Sequence, residues 1–211
     1  FDQPDLEDLL LKNLLIKNKL NIFFNTKFLN FSQKKEYVCS NVIDNKKKFQ
    51  ITSKFIVGCD GANSSIRKLL NIKLLGSSFK ENWLIIDLFN SENKFRHTQV
   101  FCDAKRPCIT LPGPRGIRRY EFKLHKTETK KDCFKPSFIK QLLNEKGEIN
   151  NPIIRRKCLY TFNALIANCW YKNKVLLAGD AAHQTPPFAG QGMNSGVRDV
   201  LNLGWKLAFA I

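Results

Sequence analysis

Two short segments carry residue types in an order that can hold a ligand. The first, Phe55 to Arg67, is an apolar run into Asp60-Gly61, followed by a helix start with Asn63, Ser64 or Ser65 as its cap. A carboxylate at a strand end accepts hydrogen bonds from hydroxyls. Gly61 permits backbone angles, or an approach, that a side chain would block. Arg67, in the first helical turn, reaches an acidic group or fixes the loop. The same residues also suit an ordinary strand–turn–helix corner with Asp60 as a turn residue, because Asp-Gly is a common turn pair.

The second segment, Val175 to Asp199, is denser. An apolar strand ends at Gly179-Asp180, Pro186-Pro187 stiffens the loop after it, and Gly190-Gln191-Gly192 opens a helix. Gly192 lets the backbone approach a flat ligand. The N–H groups of Gly192, Met193 and Asn194 fall at a helix N-terminus, which favours negative charge. Asp180 is placed to take sugar-like hydroxyls of the same ligand. A Gly/Pro loop before a buried helix accounts for the glycines but not for the whole set. His183 invites an acid–base role. Spacing gives it no partner, and a packing or hydrogen-bonding role suits it better.

Periodicity supplies the framework around both segments. Leu6, Leu9, Leu10, Leu14 and Leu15 predict a helix after Pro4 and Asp5. Asn21 to Phe31 reads as a strand. Glu36 to Ile43 and Phe49 to Cys59 read as a hairpin around Asp44-Asn45-Lys46-Lys47. Ser64 to Leu70 is a short helix. Trp83 to Leu124 holds several β-type runs broken by Pro107, Pro112-Gly113-Pro114 and Gly116. Pro136 to Asn144 reads as a helix, Arg155 to Ile166 as extended, and Lys174 to Ala178 as a short buried strand before the final helix. Helix-and-strand segments flanking a β-rich middle predict an α/β domain interrupted by a second, sheet-based domain.

Composition bounds the function classes. The 211 residues are 43 % hydrophobic and 25 % charged, an ordinary globular balance. Seven Cys with no C-x-x-C pair, and three His, predict reduced thiols in a cytoplasmic compartment and no metal site. The net charge of +17 comes mostly from 26 Lys against 9 Arg, spread along the chain. That spread, without an Arg/Lys stripe and interleaved aromatics, gives no specific nucleic-acid face. No apolar stretch of ~18 residues predicts a membrane span. The chain starts at Phe1, its one Met is Met193, and it stops at Ile211 inside an apolar run, so it reads as a fragment.

The two segments resemble the FAD-dependent aromatic hydroxylases, the single-component (class A) flavoprotein monooxygenases. Gly58-Cys59-Asp60-Gly61-Ala62-Asn63-Ser64-Ser65-x-Arg67 is similar to that family's Asp-Gly motif. Gly179-Asp180-Ala181-Ala182-His183, with Pro186-Pro187, Gly190-Gln191-Gly192-Met193-Asn194 and Asp199, is similar to its Gly-Asp motif. Asn202-Leu203-x-Trp205-Lys206-Leu207-Ala208 and the opening Gln3-Pro4-x-Leu6-Glu7 extend the likeness. Pro112-Gly113-Pro114, Arg118 to Phe122 and Tyr160-Thr161-Phe162 resemble the 3-(3-hydroxyphenyl)propanoate hydroxylase branch.

The resemblance implies a partial FAD-binding Rossmann-like α/β domain, residues 1–80 and 166–211, interrupted by a β-sheet substrate domain, residues 81–165. The family's N-terminal βαβ unit with G-x-G-x-x-G is missing from the sequence. Cofactor contacts carry over to Gln3, Asp60, Gly61, Arg67, Gly179, Asp180, Pro187, Gly190, Gly192, Met193 and Asn194. The implied activity is hydroxylation of a phenolic acid with NAD(P)H and O2 through a C4a-hydroperoxyflavin, and no residue is assigned as a catalytic nucleophile. Arg118 and Arg119 are candidates to meet a substrate carboxylate, or else are surface charge. The alternatives are an FAD-dependent epoxidase or halogenase, or a non-catalytic polyanion-binding remnant. A halogenase would carry Trp-x-Trp-x-x-Pro, and Trp83, Trp170 and Trp205 lie too far apart.

Overall fold

A computed structural model describes residues 2–17, 20–186 and 190–211, with Lys80 as backbone only. The chain forms two compact units, one from 1–20 and 79–161, the other from 21–78 and 162–211. Two long strands, β5 (Leu74–Phe89) and β9 (Ile153–Ala167), contribute residues to both.

In the first unit, β9, β5, β8 (Arg118–Lys123), β7 (Cys108–Pro112) and β6 (Gln99–Phe101) are neighbours in that order. Pairing is antiparallel from β5 through β6. Period-two alternation buries Arg118, Tyr120 and Phe122 of β8 on one face. After a one-turn helix α3 (Lys130–Cys133), capped by Thr129, comes α4 (Pro136–Asn144). It packs through Ile139, Leu142 and Leu143 against the core formed with Leu84, Ile86 and Leu88. Those three helix positions recur at helical spacing, and Pro136 sits where a helix tolerates a missing N–H.

The buried charged residues described in this unit, Asp87, Arg118 and Glu148, are partnered. Glu148, 1 % exposed, accepts from Ser91 Oγ, from Tyr120 Oη at 2.8 Å and from the Glu92 N–H at 2.9 Å. Burial first, and then that bond to Glu148, push the Tyr120 hydroxyl up to about 12. Arg118, buried rather than at the surface, donates to Thr110 Oγ1 at 2.9 Å, to Gln99 Oε1 at 3.1 Å and to the Phe95 carbonyl. Arg119 makes a two-pronged pair with Asp87, at 2.7 and 3.0 Å. Arg118 is thus engaged inside the sheet, which corrects the surface-charge alternative for that residue, while Arg119, paired with Asp87, keeps its side chain 37 % exposed, in keeping with that alternative. Helix α1 (Gln3–Ile16) belongs to this unit, and Asp2 before it pairs with Arg115 and Arg155 at 2.7 and 2.8 Å.

The second unit starts with a meander, β1 (Thr26–Gln33), β2 (Val38–Asp44) and β3 (Lys47–Ser53). The β2–β3 turn is the expected one, with Asn45 taking the left-handed conformation at φ 52°. Two expected strands need correction. Asn21 to Phe31 pairs only from Thr26 onward, with exposed Phe23 and Phe24 before it. Phe49 to Cys59 breaks after Ser53, and Ile56–Gly58 forms a separate strand, β4, in another sheet. The β-rich middle also begins earlier than Trp83, at Leu74. Gly76 makes that possible: its φ is +121°, and a Cβ there would lie 2.0 Å from the Ala164 carbonyl oxygen.

The sheet that carries both motifs is β10 (Tyr171–Lys172), β11 (Val175–Leu177) and β4. Its core joins Val175 and Leu177 to Val38, to Ile66 of α2 (Ser65–Leu69) and to Ala181 and Ala182. A two-residue strand β12 (His183–Gln184) pairs with β9. Helix α5 (Gln191–Ala210) closes the described chain, with Val197, Val200, Leu201, Trp205 and Phe209 exposed. Among the described residues no helix is long and apolar enough to cross a membrane, and all seven cysteines are free.

Candidate functional site

Strands β4 and β11 run parallel, with Ile56, Val57 and Gly58 opposite Val175, Leu176 and Leu177. The two motifs therefore leave the sheet side by side at its carboxyl edge, where open α/β sheets hold their ligands. The approach is tight. A Cβ at Gly58 would come within 3.1 Å of the Ile66 and Leu177 side chains.

At the end of β4, Asp60 turns inward on its own segment. Its Oδ1 accepts from Ser64 Oγ at 2.5 Å. Its Oδ2 accepts from the Ser65 N–H at 2.7 Å, Ser65 Oγ at 2.9 Å and the Ile66 N–H at 3.1 Å. Burial disfavours the charge, but these bonds from Ser64, Ile66 and Ser65 outweigh it and hold the carboxyl below its ordinary 3.8. Ser64 caps α2 by accepting from the Arg67 N–H at 2.9 Å. Gly61 sits between, at φ +78°.

Arg67 joins the two motifs. Its guanidinium, in a residue 6 % exposed, donates to the Ala181 carbonyl at 2.9 Å and to the Ala62 carbonyl at 2.7 Å. Of the two roles that sequence offered it, the bonds match loop fixing. Gln184 Nε2 also donates to Ala62, at 3.2 Å.

At the end of β11, residues 179–181 make one 3-10 turn, with Gly179 at φ +61°. That conformation is one a side chain would strain. Asp180, central in the turn, is exposed, and its carboxylate makes no side-chain bond among the described residues. The neighbouring Gly179 N–H donates to Asp199 Oδ2 at 2.8 Å, and the same oxygen is 2.7 Å from His183 Nε2. His183 is 8 % exposed and its ring lies 5.3 Å from that of Trp170. An apolar cleft of about 580 Å³ opens here, lined by Gly76, Ile166, Trp170, His183, Ser195 and Arg198 among others.

Helix α5 starts from Gly190 at φ +67° with no side-chain cap. By helix geometry the N–H groups of Gly190, Gln191, Gly192 and Met193 have no acceptor within the helix. The Asn194 side chain donates to the Gly190 carbonyl at 3.1 Å. Gly192 leaves the helix start open, its nearest neighbour to a built Cβ being Thr185 Oγ1 at 3.8 Å. The helix lies against the Asp180 turn, since a Cβ at Gly196 would be 3.6 Å from Gly179 Cα.

Asp60, Gly61, Arg67, Gly179, Asp180, Gly190, Gly192, Met193 and Asn194 thus all belong to the second unit. Gln3 belongs to the first, where it donates to Glu7 at 2.8 Å. Pro187 lies outside the described residues. Sequence reasoning missed the His183–Asp199 bond, which spans 16 positions and has no spacing signature. Among the described residues no cluster of three His, Cys, Asp or Glu could hold a metal.

Comparison with known proteins gives the family and the fold. The model of the FAD binding domain family matches residues 1–211. The chain is 33 % identical to the 3-(3-hydroxy-phenyl)propionate/3-hydroxycinnamic acid hydroxylase of Comamonas testosteroni, over 100 % of this chain and 36 % of that protein. It is 39 % identical to the enzyme of the same name from Mycolicibacterium smegmatis, over 76 % of this chain and 29 % of that protein. It therefore spans about a third of the length of these curated relatives. The crystal structure of aklavinone-11 hydroxylase with FAD and aklavinone shares the fold, with a TM-score of 0.89 at 24 % identity over 99 % of this chain and 41 % of that one. The chain belongs to the FAD-binding domain family, and within it to the FAD-binding monooxygenases that include the 3-(3-hydroxyphenyl)propionate hydroxylases.

Proposed function

We propose that the chain is part of an FAD-dependent aromatic-ring monooxygenase that hydroxylates a phenolic acid using NAD(P)H and O2. In this reading residues 1–80 and 166–211 supply part of the FAD-binding domain, and residues 81–165 the β-rich substrate domain. The homologous hydroxylases support the reaction class. The observation that carries the cofactor reading is the exposed Asp180 carboxylate on a turn packed against α5 at Gly196, a helix whose N-terminus has no side-chain cap.

The donor set fits FAD. Free helix N–H groups suit the anionic pyrimidine edge that the reduced ring presents, and an uncommitted carboxylate suits ribityl hydroxyls. When bound, FAD supplies the redox and dioxygen chemistry, with NAD(P)H as the reductant.

The residues of this chain bind and orient. Gly192 and Met193 would present N–H donors to the ring edge, and Asp180 would accept from the ribityl chain. Gly179 and Gly190 hold the backbone angles that aim those groups. Asp60 has its oxygens committed to α2, so its part is to hold Gly61 and the helix start. Arg67 locks the two turns together. No side chain is assigned as a nucleophile, and none is needed where the cofactor carries the bond-making step.

Purification under non-denaturing conditions from the source tests this reading. The expected result is bound FAD and phenolic-acid-dependent oxidation of NAD(P)H, with one oxygen atom from O2 entering the ring. Protein free of flavin and unable to take up added FAD would contradict it.

A further inference from the structure

Asp199 stands one helical turn beyond Gly196 on α5, and three elements meet at its Oδ2. The end of β11 reaches it through the Gly179 N–H at 2.8 Å. Strand β12 reaches it through His183 Nε2 at 2.7 Å. The imidazole is held in turn by the ring of Trp170, 5.3 Å away. One carboxylate oxygen thus ties the turn after β11 and strand β12 to the same helix.

The neighbouring carboxylate has no such support. Asp180 is exposed and its side chain bonds to nothing among the described residues, so its direction is set by the backbone of residues 179–181. That backbone is held at one end by Asp199, through the Gly179 N–H, and at the other by Arg67, through the Ala181 carbonyl. Gly179 is also the residue against which α5 packs.

From this geometry we infer that Asp199 is a positioning residue: through Gly179 and His183 it fixes the Asp180 carboxylate relative to the first turn of α5, so that both address one flavin. The inference rests on the FAD reading above. It differs from simple helix anchoring, because it requires Asp199 to act through Asp180.

A double-mutant cycle separates the two. FAD dissociation constants are measured by fluorescence quenching for the wild type, Asp180→Ala, Asp199→Ala and the double variant. Loss of a charged hydrogen-bonding group predicts about 10-fold weaker binding for each single variant. The double variant should be weaker than Asp180→Ala by no more than about 2-fold, because strongly coupled losses do not add. Asp199→Asn, which keeps a side-chain oxygen for both donors, should restore binding to within about 3-fold of wild type. In flavin-free protein, the Gly179 amide should exchange faster in Asp199→Ala and not in Asp199→Asn.

Additive losses, with Asp180→Ala itself effective, would overturn the positioning role and leave the FAD reading standing. An ineffective Asp180→Ala would overturn both. Should Asp199→Ala not fold, His183→Phe keeps a ring beside Trp170 and removes one bond. Its smaller loss should vanish in the Asp180→Ala background, and persistence there would also overturn the role.

Discussion

Asp60 and Asp180 end neighbouring parallel strands, yet one carboxylate is occupied and the other is open. Asp60 accepts four hydrogen bonds from Ser64, Ser65 and Ile66. Asp180 accepts none among the described residues and lies exposed on a 3-10 turn. The two differ in where the chain goes after each turn. After Asp60 a helix starts at the fifth residue, with serines in reach. After Asp180 the chain enters β12, and among the described residues the next helix begins at Gln191. An acidic residue after an apolar strand therefore becomes architecture where a helix start lies close behind it, and becomes available to a ligand where none does.

The largest effect expected is at the residue the two turns share. Arg67→Leu removes a buried guanidinium, leaves the Ala181 carbonyl without its side-chain donor and leaves Ala62 to Gln184 alone, at a cost of about 2–4 kcal/mol in urea unfolding. A loss below about 0.5 kcal/mol would show that the turns are not tied through it. Asp60→Ala comes next. It removes the acceptor that orders the start of α2 and should cost about 1–2 kcal/mol.

A smaller effect should appear in the acid dependence of stability. The Asp60 carboxyl titrates below its ordinary 3.8 in the folded protein, so its contribution is present above that pH. It is lost as pH falls through the lower folded value. Unfolding measured across that range should show a shallower acid slope in Asp60→Asn than in wild type. An unchanged slope would mean that Asp60 gains nothing from its partners on folding. Asp180→Ala should change stability least, by less than about 0.5 kcal/mol, as for a surface group with no partner. A larger loss would assign Asp180 an architectural bond.

Much of the fold was legible in the sequence, and the reasons are local. Helix α4 begins at Pro136 and ends at Asn144 as its proline and apolar spacing predict. The β2–β3 turn falls where a polar tetrad interrupts two β-rich runs. Both motifs read as strand ends, and both lie there. The features that stayed hidden depend on partners distant in sequence. The run Phe49 to Cys59 looks continuous, and only pairing shows that Ile56–Gly58 joins β11 instead of β2. The two-residue strands β10 and β12 are too short for any period to register. Arg118 gave no sign of its burial because its acceptors, Thr110, Gln99 and Phe95, come from other strands and loops, 8, 19 and 23 positions away. His183 offered no partner by spacing because Asp199 reaches it from the far side of a loop and two turns of helix.

A flavin titration across the two strand-end carboxylates puts this division of roles at risk. FAD is titrated into wild type, Asp180→Ala and Asp60→Asn at neutral pH, where all three should be folded. Binding should weaken about 10-fold in Asp180→Ala and change less than about 2-fold in Asp60→Asn. Equal losses in both variants, or a loss confined to Asp60→Asn, would contradict the assignment of Asp180 to the flavin and Asp60 to the fold.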